Sequence, residues 1–128
     1  MFSKVLKVGT RSILGLVYFV FGLNFFLQFI PVPPSSEEMS KLTGAIYMSG
    51  YMFQFIKITE IVGGALLLLN LFTPLALVIL APITLNIVAM HAFLDPAGLP
   101  IGLVITVLHV LLGVLYIENF KPMLKAKN

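Results

Sequence analysis

Apolar residues fall along the chain in four long blocks, separated by short stretches rich in proline, glycine and charge. The first block, Ser12 to Ile30, would cover about 28 Å as an α-helix at 1.5 Å per residue, close to the thickness of a bilayer core. Pro31, Pro33 and Pro34 then stop the helix. Ser35 or Ser36 followed by Glu37 and Glu38 carries the signature of a helix N-cap, so a short amphipathic helix is predicted within a loop at 31–50. The second block spans about 51–71 and leads through NLFTP into the third, 74–94, with Pro74 at a first helical position, where its missing N–H does no harm. Pro82 inside this block predicts a kink that neighbouring helices tolerate. DPAGLP, 95–100, makes the last turn before the fourth block, 101–117, and a basic tail. Such short connections predict an all-α, integral-membrane four-helix up-down bundle forming a single transmembrane domain over residues 1–128.

Composition agrees with the pattern. Of 128 residues, 59% are apolar and 10% charged, and the mean hydropathy is +1.07. Soluble domains carry about 25% charged residues, so a soluble enzyme domain, a disordered tail and a coiled coil are excluded. The absence of cysteine removes disulfides, thiolate metal sites, CxxC redox chemistry and cysteine nucleophiles. Without tryptophan, interfacial anchoring falls to 4 Tyr and 11 Phe.

The net charge of +3 does not point to nucleic acid, because its location reads as membrane-flanking charge. Lys4, Lys7 and Arg11 precede the first block; Lys121, Lys125 and Lys127 follow the last. The loop at 31–50 holds one Lys against two Glu, and the turn at 95–100 holds only Asp95. An excess of basic residues on the cytoplasmic side then places both termini inside and these two loops outside, in the inner (plasma) membrane. The basic start followed by an apolar run resembles a signal peptide, but the run is long and no small-x-small cleavage site follows; it is read as a retained first span.

Ionisable and amide side chains inside spans are costly and often mark function. Laid at matched depth, Asn24, Gln28, Lys57, Glu60, Asn86, His91, Thr106 and His109 all fall in the middle and outer half of the membrane. Lys57 and Glu60, three residues apart, share a helix face and read either as an internal ion pair or as a ligand or proton site. Gly102, Thr106, His109 and Gly113 step by four, three and four along one face. Glycine there serves close helix packing, whereas leucine would pack as well as His109 does, so packing and a binding role both stay open for the histidine. His91 shares a face with Thr84 and Asp95, which reads as a wet helix end or as a carboxylate-oriented imidazole. Asn24 and Gln28 lie one turn apart, away from the Gly15–Gly22 face, while the aromatics of YFVF and FF read as packing or lipid-facing residues. No HxxxH or ExxH spacing supports a metal site, and neither a serine triad nor a glycine-rich phosphate loop is present.

Three segments carry a resemblance: Arg11 with Gly15, Gly22 and GLNFF; Glu60 with Gly63–Gly64 in EIVGGALLLLNLFTPLA; and LAPITLNIVAMHAFL. Together they resemble the DoxX-like family of small four-span membrane proteins over most of Arg11 to Ile117. The resemblance implies Arg11 and Glu60 as framework charges, which their depths place about two to three helical turns apart. It also implies association with quinone-dependent oxidoreductases of respiratory membranes, or a role as membrane partner or chaperone of other proteins. The vitamin K epoxide type of quinone reductase also has a four-helix core, but its cysteine pairs are missing here.

The leading functional expectation is a non-thiol accessory or binding protein. It would hold a small amphipathic, quinone- or lipid-like ligand in a mid-membrane polar pocket, as part of a redox-linked complex. Lys57, Glu60 and His109 would fix its head, supported by Asn24, Gln28, Asn86, His91 and Thr106. The alternatives are a structural subunit or assembly chaperone without a ligand, and a proton-coupled enzyme or carrier using Glu60 and His109. Whether any reaction is catalysed, and with what cofactor, stays open; the expected partners are the lipid bilayer, a second copy of the chain or a membrane redox complex, and no nucleic acid.

Overall fold

The computed structural model describes residues 2–127, which fold into helices connected by turns, with no strand among the described residues. Four elements are long and apolar enough to cross a membrane by length and composition: α1 (Phe2–Leu27), α3 (Met52–Leu69), α4 (Thr73–Phe93) and α5 (Leu99–Leu115) taken with the 3₁₀ turn over Pro96–Gly98 that leads into it. Two short helices, α2 (Glu37–Met48) and α6 (Ile117–Phe120), complete the set, with a 3₁₀ turn at Lys121–Leu124.

Helix α1 starts at Phe2, ten residues ahead of the expected first span, so Lys4, Lys7 and Arg11 lie on the helix itself. Its other end is closed by a side chain. Asn24 Oδ1 accepts the Ile30 N–H at 2.7 Å and its Nδ2 donates to the Ile30 carbonyl at 3.0 Å, turning the chain out through Gln28, which sits at φ +50°. Ser36 then caps α2, accepting the Met39 N–H at 3.1 Å, with Glu37 and Glu38 in the first turn where the helix dipole favours negative charge. The same Ser36 hydroxyl donates to the Leu94 carbonyl at 2.5 Å, tying α2 to the end of α4. Between α3 and α4 the turn is so tight that Asn70 and Phe72 both take left-handed backbone conformations. Asn tolerates that region; for Phe it is strained.

Each long helix packs against two others: α3 and α5 flank α1 on one side of the assembly, and the same two flank α4 on the other. The α1–α3 contact is the closest. A Cβ on Gly15 would meet the Gly64 carbonyl oxygen at 2.9 Å, and one on Gly22 would meet the Lys57 carbonyl oxygen at 3.1 Å, so only glycine lets the backbones approach this far. Inside the ring sit Leu14, Tyr18, Leu67, Ala76, Leu77, Leu80, Ile105 and Leu112. The outward faces are apolar too: Phe21, Leu85, Val104 and Val107, for example, are all exposed.

Candidate functional site

Three side chains from three helices meet in the core. Tyr18 of α1 is 1% exposed and its hydroxyl bonds the hydroxyl of Thr84 on α4. Thr84 Oγ1 in turn lies 2.7 Å from His109 Nδ1 on α5, and His109 Nε2 lies 3.0 Å from the Leu77 carbonyl oxygen of α4. A carbonyl has no hydrogen to give, so Nε2 carries the proton and donates to Leu77. In the neutral imidazole Nδ1 then accepts from the Thr84 hydroxyl, which leaves Thr84 to accept from Tyr18. The chain runs in one direction, Tyr18 to Thr84 to His109 to Leu77, and joins α1, α4 and α5. The last acceptor lies one turn before Pro82, whose missing N–H deprives the Val78 carbonyl of its helical partner and loosens α4 locally.

A second polar cluster lies on α3. Lys57 Nζ is 3.4 Å from Glu60 Oε1 and 3.3 Å from Oε2, longer than the 2.7–2.9 Å of a tight charge-assisted bond. The Glu60 side chain is 5% exposed and Lys57 is its sole hydrogen-bonding partner among the described residues. Packing of Gly22 against Lys57 and Ile61 sets this pair about one helical turn from Tyr18. No hydrogen bond links Glu60 to the Tyr18–Thr84–His109 chain among the described residues.

Arg11, 8% exposed, turns away from Glu60. Its guanidinium donates to the Leu67 carbonyl at 2.5 Å and the Leu68 carbonyl at 3.3 Å. These oxygens belong to the last turn of α3, where helix carbonyls lack intrahelical partners and carry partial negative charge. Asn70, in the left-handed conformation, closes α3 through its own backbone N–H, and Arg11 of α1 adds a second, cationic cap to the same end.

The remaining candidates do not converge on one point. Asn24 clamps the exit of α1, and Gln28 is exposed beyond it. Asn86 is exposed and donates to the Pro82 carbonyl at 2.8 Å. His91 faces its own helix end, with Nδ1 3.3 Å from the Asp95 carbonyl oxygen and 3.9 Å from Asp95 Oδ2. Thr106 donates to Gly102 O at 2.8 Å within α5 but stays beside His109. Among the described residues no three His, Asp or Glu side chains gather closely enough to hold a metal ion.

His109 also borders two shallow hollows between α4 and α5, both open to the outside. One, of about 180 Å³, is lined by Ala81, Thr84, Leu85, Val88, Thr106, His109 and Val110. The other, of about 230 Å³, shares Ala81, His109 and Val110 and continues past Leu77, Val78 and Gly113 to Phe120. Tyr18 and the Arg11 cap are missed by reasoning on charge and depth alone. The available signal was spacing: Arg11, Gly15, Tyr18 and Gly22 step by four, three and four, the same rhythm as Gly102, Thr106, His109 and Gly113.

A family model described as DoxX matches residues 6–92, more than half of the chain. The chain belongs to the DoxX family. No curated protein and no solved structure matches it. With four span-length apolar helices, this DoxX chain is a multi-pass helical membrane protein. The DoxX match takes in Arg11, Tyr18, Lys57, Glu60 and Thr84, and ends before α5, so His109 and the outer wall of both hollows lie beyond it.

Proposed function

We propose that this DoxX protein is a membrane accessory protein that binds a small amphipathic molecule, quinone- or lipid-like, along the α4–α5 hollows with its polar head beside His109, Thr84 and Thr106. The observation that carries the reading is the meeting of two apolar, outward-open hollows at one imidazole. At about 180 and 230 Å³ each is smaller than a typical pocket of about 300–1,000 Å³, which suits an alkyl or isoprenoid tail entering from the bilayer. The head chemistry follows from the hydrogen inventory. Thr106 spends its hydrogen on Gly102, Thr84 on His109, and His109 on Leu77, so the free valences are acceptor lone pairs. A hydroxyl-bearing head, a quinol or a lipid alcohol, therefore suits the site better than a quinone carbonyl.

Photolabelling tests this reading. Protein in lipid nanodiscs is exposed to a hydroquinone with a diazirine in its tail, and the labelled peptides are mapped. Labelling concentrated at residues 81–88 and 106–113, and reduced by Thr106→Val, supports the site. Labelling spread evenly over α1 and α3, or unchanged in Thr106→Val, sinks it.

A second reading, a structural subunit or assembly chaperone without a ligand, is favoured by one observation: every polar hydrogen of the Tyr18, Thr84 and His109 side chains is already spent inside the protein. The proton-coupled alternative would need a path between Glu60 and His109, and Tyr18 would have to supply it. The topology proposed with this function is an up-down bundle with both termini in the cytoplasm of a cell whose plasma membrane holds the protein, resting on the six basic residues near the termini and the short connections. A second copy or a membrane redox complex is the proposed protein partner.

A further inference from the structure

The two ends of the chain converge. Lys7 of α1 lies 4.8 Å over the ring of Tyr116, and Phe120 packs on the core just beyond α5, so the start of α1 and the 117–127 tail share one end of the helix assembly. At 26 residues, α1 is about 39 Å long, some 9 Å more than a bilayer hydrocarbon core. Its apolar stretch begins after Arg11, so its first two turns project to the level of the lipid headgroups. Five lysines collect there: Lys4, Lys7, Lys121, Lys125 and Lys127. Lys7 is engaged by Tyr116, and Lys121 by Glu118 at 2.8 Å, the one acidic residue in these segments. Lys4, Lys125 and Lys127 have no carboxylate partner among the described residues. Between the lysines stand Phe2, Val5, Met123 and Leu124, 63–80% exposed.

Apolar side chains interleaved with uncompensated ammonium groups at headgroup depth suit one occupant. We infer that this end of the molecule is a docking surface for anionic phospholipids, with Phe2, Val5, Met123 and Leu124 entering the acyl region and Lys4, Lys125 and Lys127 holding the headgroup phosphates. The charge complementarity is one-sided, five cations to one anion, which zwitterionic lipid does not match. The inference does not depend on what the α4–α5 hollows bind, since it uses none of their residues except the backbone continuity of Phe120.

Native mass spectrometry of the full chain from detergent micelles carrying equal phosphatidylglycerol and phosphatidylcholine reads the preference directly. The wild type is expected to retain phosphatidylglycerol at least tenfold over phosphatidylcholine at low salt, with the preference falling as salt rises. A single lysine removed lowers it by up to roughly fivefold, and the exposed triple variant K4Q/K125Q/K127Q should lose the preference altogether while keeping its helical circular dichroism. K41Q, at a lysine outside this cluster, should leave the preference unchanged. Equal retention of the two lipids by the wild type, or a triple variant that selects phosphatidylglycerol as the wild type does, overturns the inference. So does a K41Q variant as impaired as the triple one.

Discussion

Replacing Gly64 by alanine should separate α1 from α3. An added Cβ would lie 2.6 Å from the Phe19 nitrogen, 2.7 Å from the Gly15 carbonyl oxygen and 3.0 Å from the Phe19 Cα. All three are backbone atoms of α1, so no rotamer change relieves them, and ordinary contact at about 3.5–4.0 Å requires the helices to part by roughly 1 Å. Overpacking of this kind costs about 1–3 kcal/mol, and a rigid backbone obstacle places Gly64→Ala at the upper end. The gain in helix propensity, about 1 kcal/mol for glycine to alanine, offsets only part of it. Two companion variants isolate the cause. At Gly63 the three atoms nearest the added methyl all belong to the Leu80 side chain, at 2.7–2.8 Å, which can rotate away, so a smaller loss is expected. At Gly113 nothing lies within 4 Å, so alanine should be neutral or stabilising by up to about 1 kcal/mol. Reversible unfolding in mixed micelles, followed by circular dichroism against denaturing detergent, ranks the three. The expected order of stability is Gly113→Ala, then Gly63→Ala, then Gly64→Ala. A Gly64→Ala protein as stable as Gly113→Ala would refute the close-approach argument.

Two further outcomes concern the polar interior. Thr84→Val removes the middle of the Tyr18–Thr84–His109 chain and strands both neighbours, at a cost of about 1–3 kcal/mol for unsatisfied buried groups; Tyr18→Phe removes only a terminal donor and should cost less in the same unfolding assay, so equal losses would contradict the assigned direction of the chain. Glu60→Leu leaves the half-buried Lys57 ammonium without a partner inside the span, whereas Lys57→Met with Glu60→Leu removes both charges. The single change should cost about 3–5 kcal/mol and the double change much less, so a double variant weaker than the single one would show that the pair does more than satisfy itself.

How far the chain reveals its interior depends on which interaction is asked about. The three-residue step from Lys57 to Glu60 is a local relation on one helix, and the bonded pair is local too. Asn86 and Thr106 could also have been read locally: each bonds a carbonyl four residues earlier on its own helix, a habit of short polar side chains inside helices. Asn24 is similar, since its partner Ile30 is only six residues on. A side chain able to satisfy itself nearby, at whatever depth it lies, has no need to seek a partner on another helix.

Arg11 shows the opposite case. Its basic character points to a place before the membrane span, yet the last carbonyls of α3 lie within its reach, and a fixed cation beside a helix C-terminus is favourable. Tyr18 shows it again. In the run YFVF it looks like one more aromatic, and only the position of Thr84 on α4 makes its hydroxyl part of the core.

Four membrane-length helices, short turns, the proline exits, a serine cap before Glu37 and the excess of basic residues at the termini are legible from the chain alone. They arise from the period of hydrophobic residues and from backbone chemistry within a few positions. Which face of each helix turns inward is another matter. It fixes that Tyr18, Thr84 and His109 meet while Glu60 keeps to Lys57 and Arg11 caps α3. Spacing defines a stripe on one helix, but the rotation of that helix about its axis is set by what it packs against. Here the glycine contacts fix α1 against α3, the packing of α4 and α5 against them turns Thr84 and His109 inward, and only the tertiary structure contains these contacts.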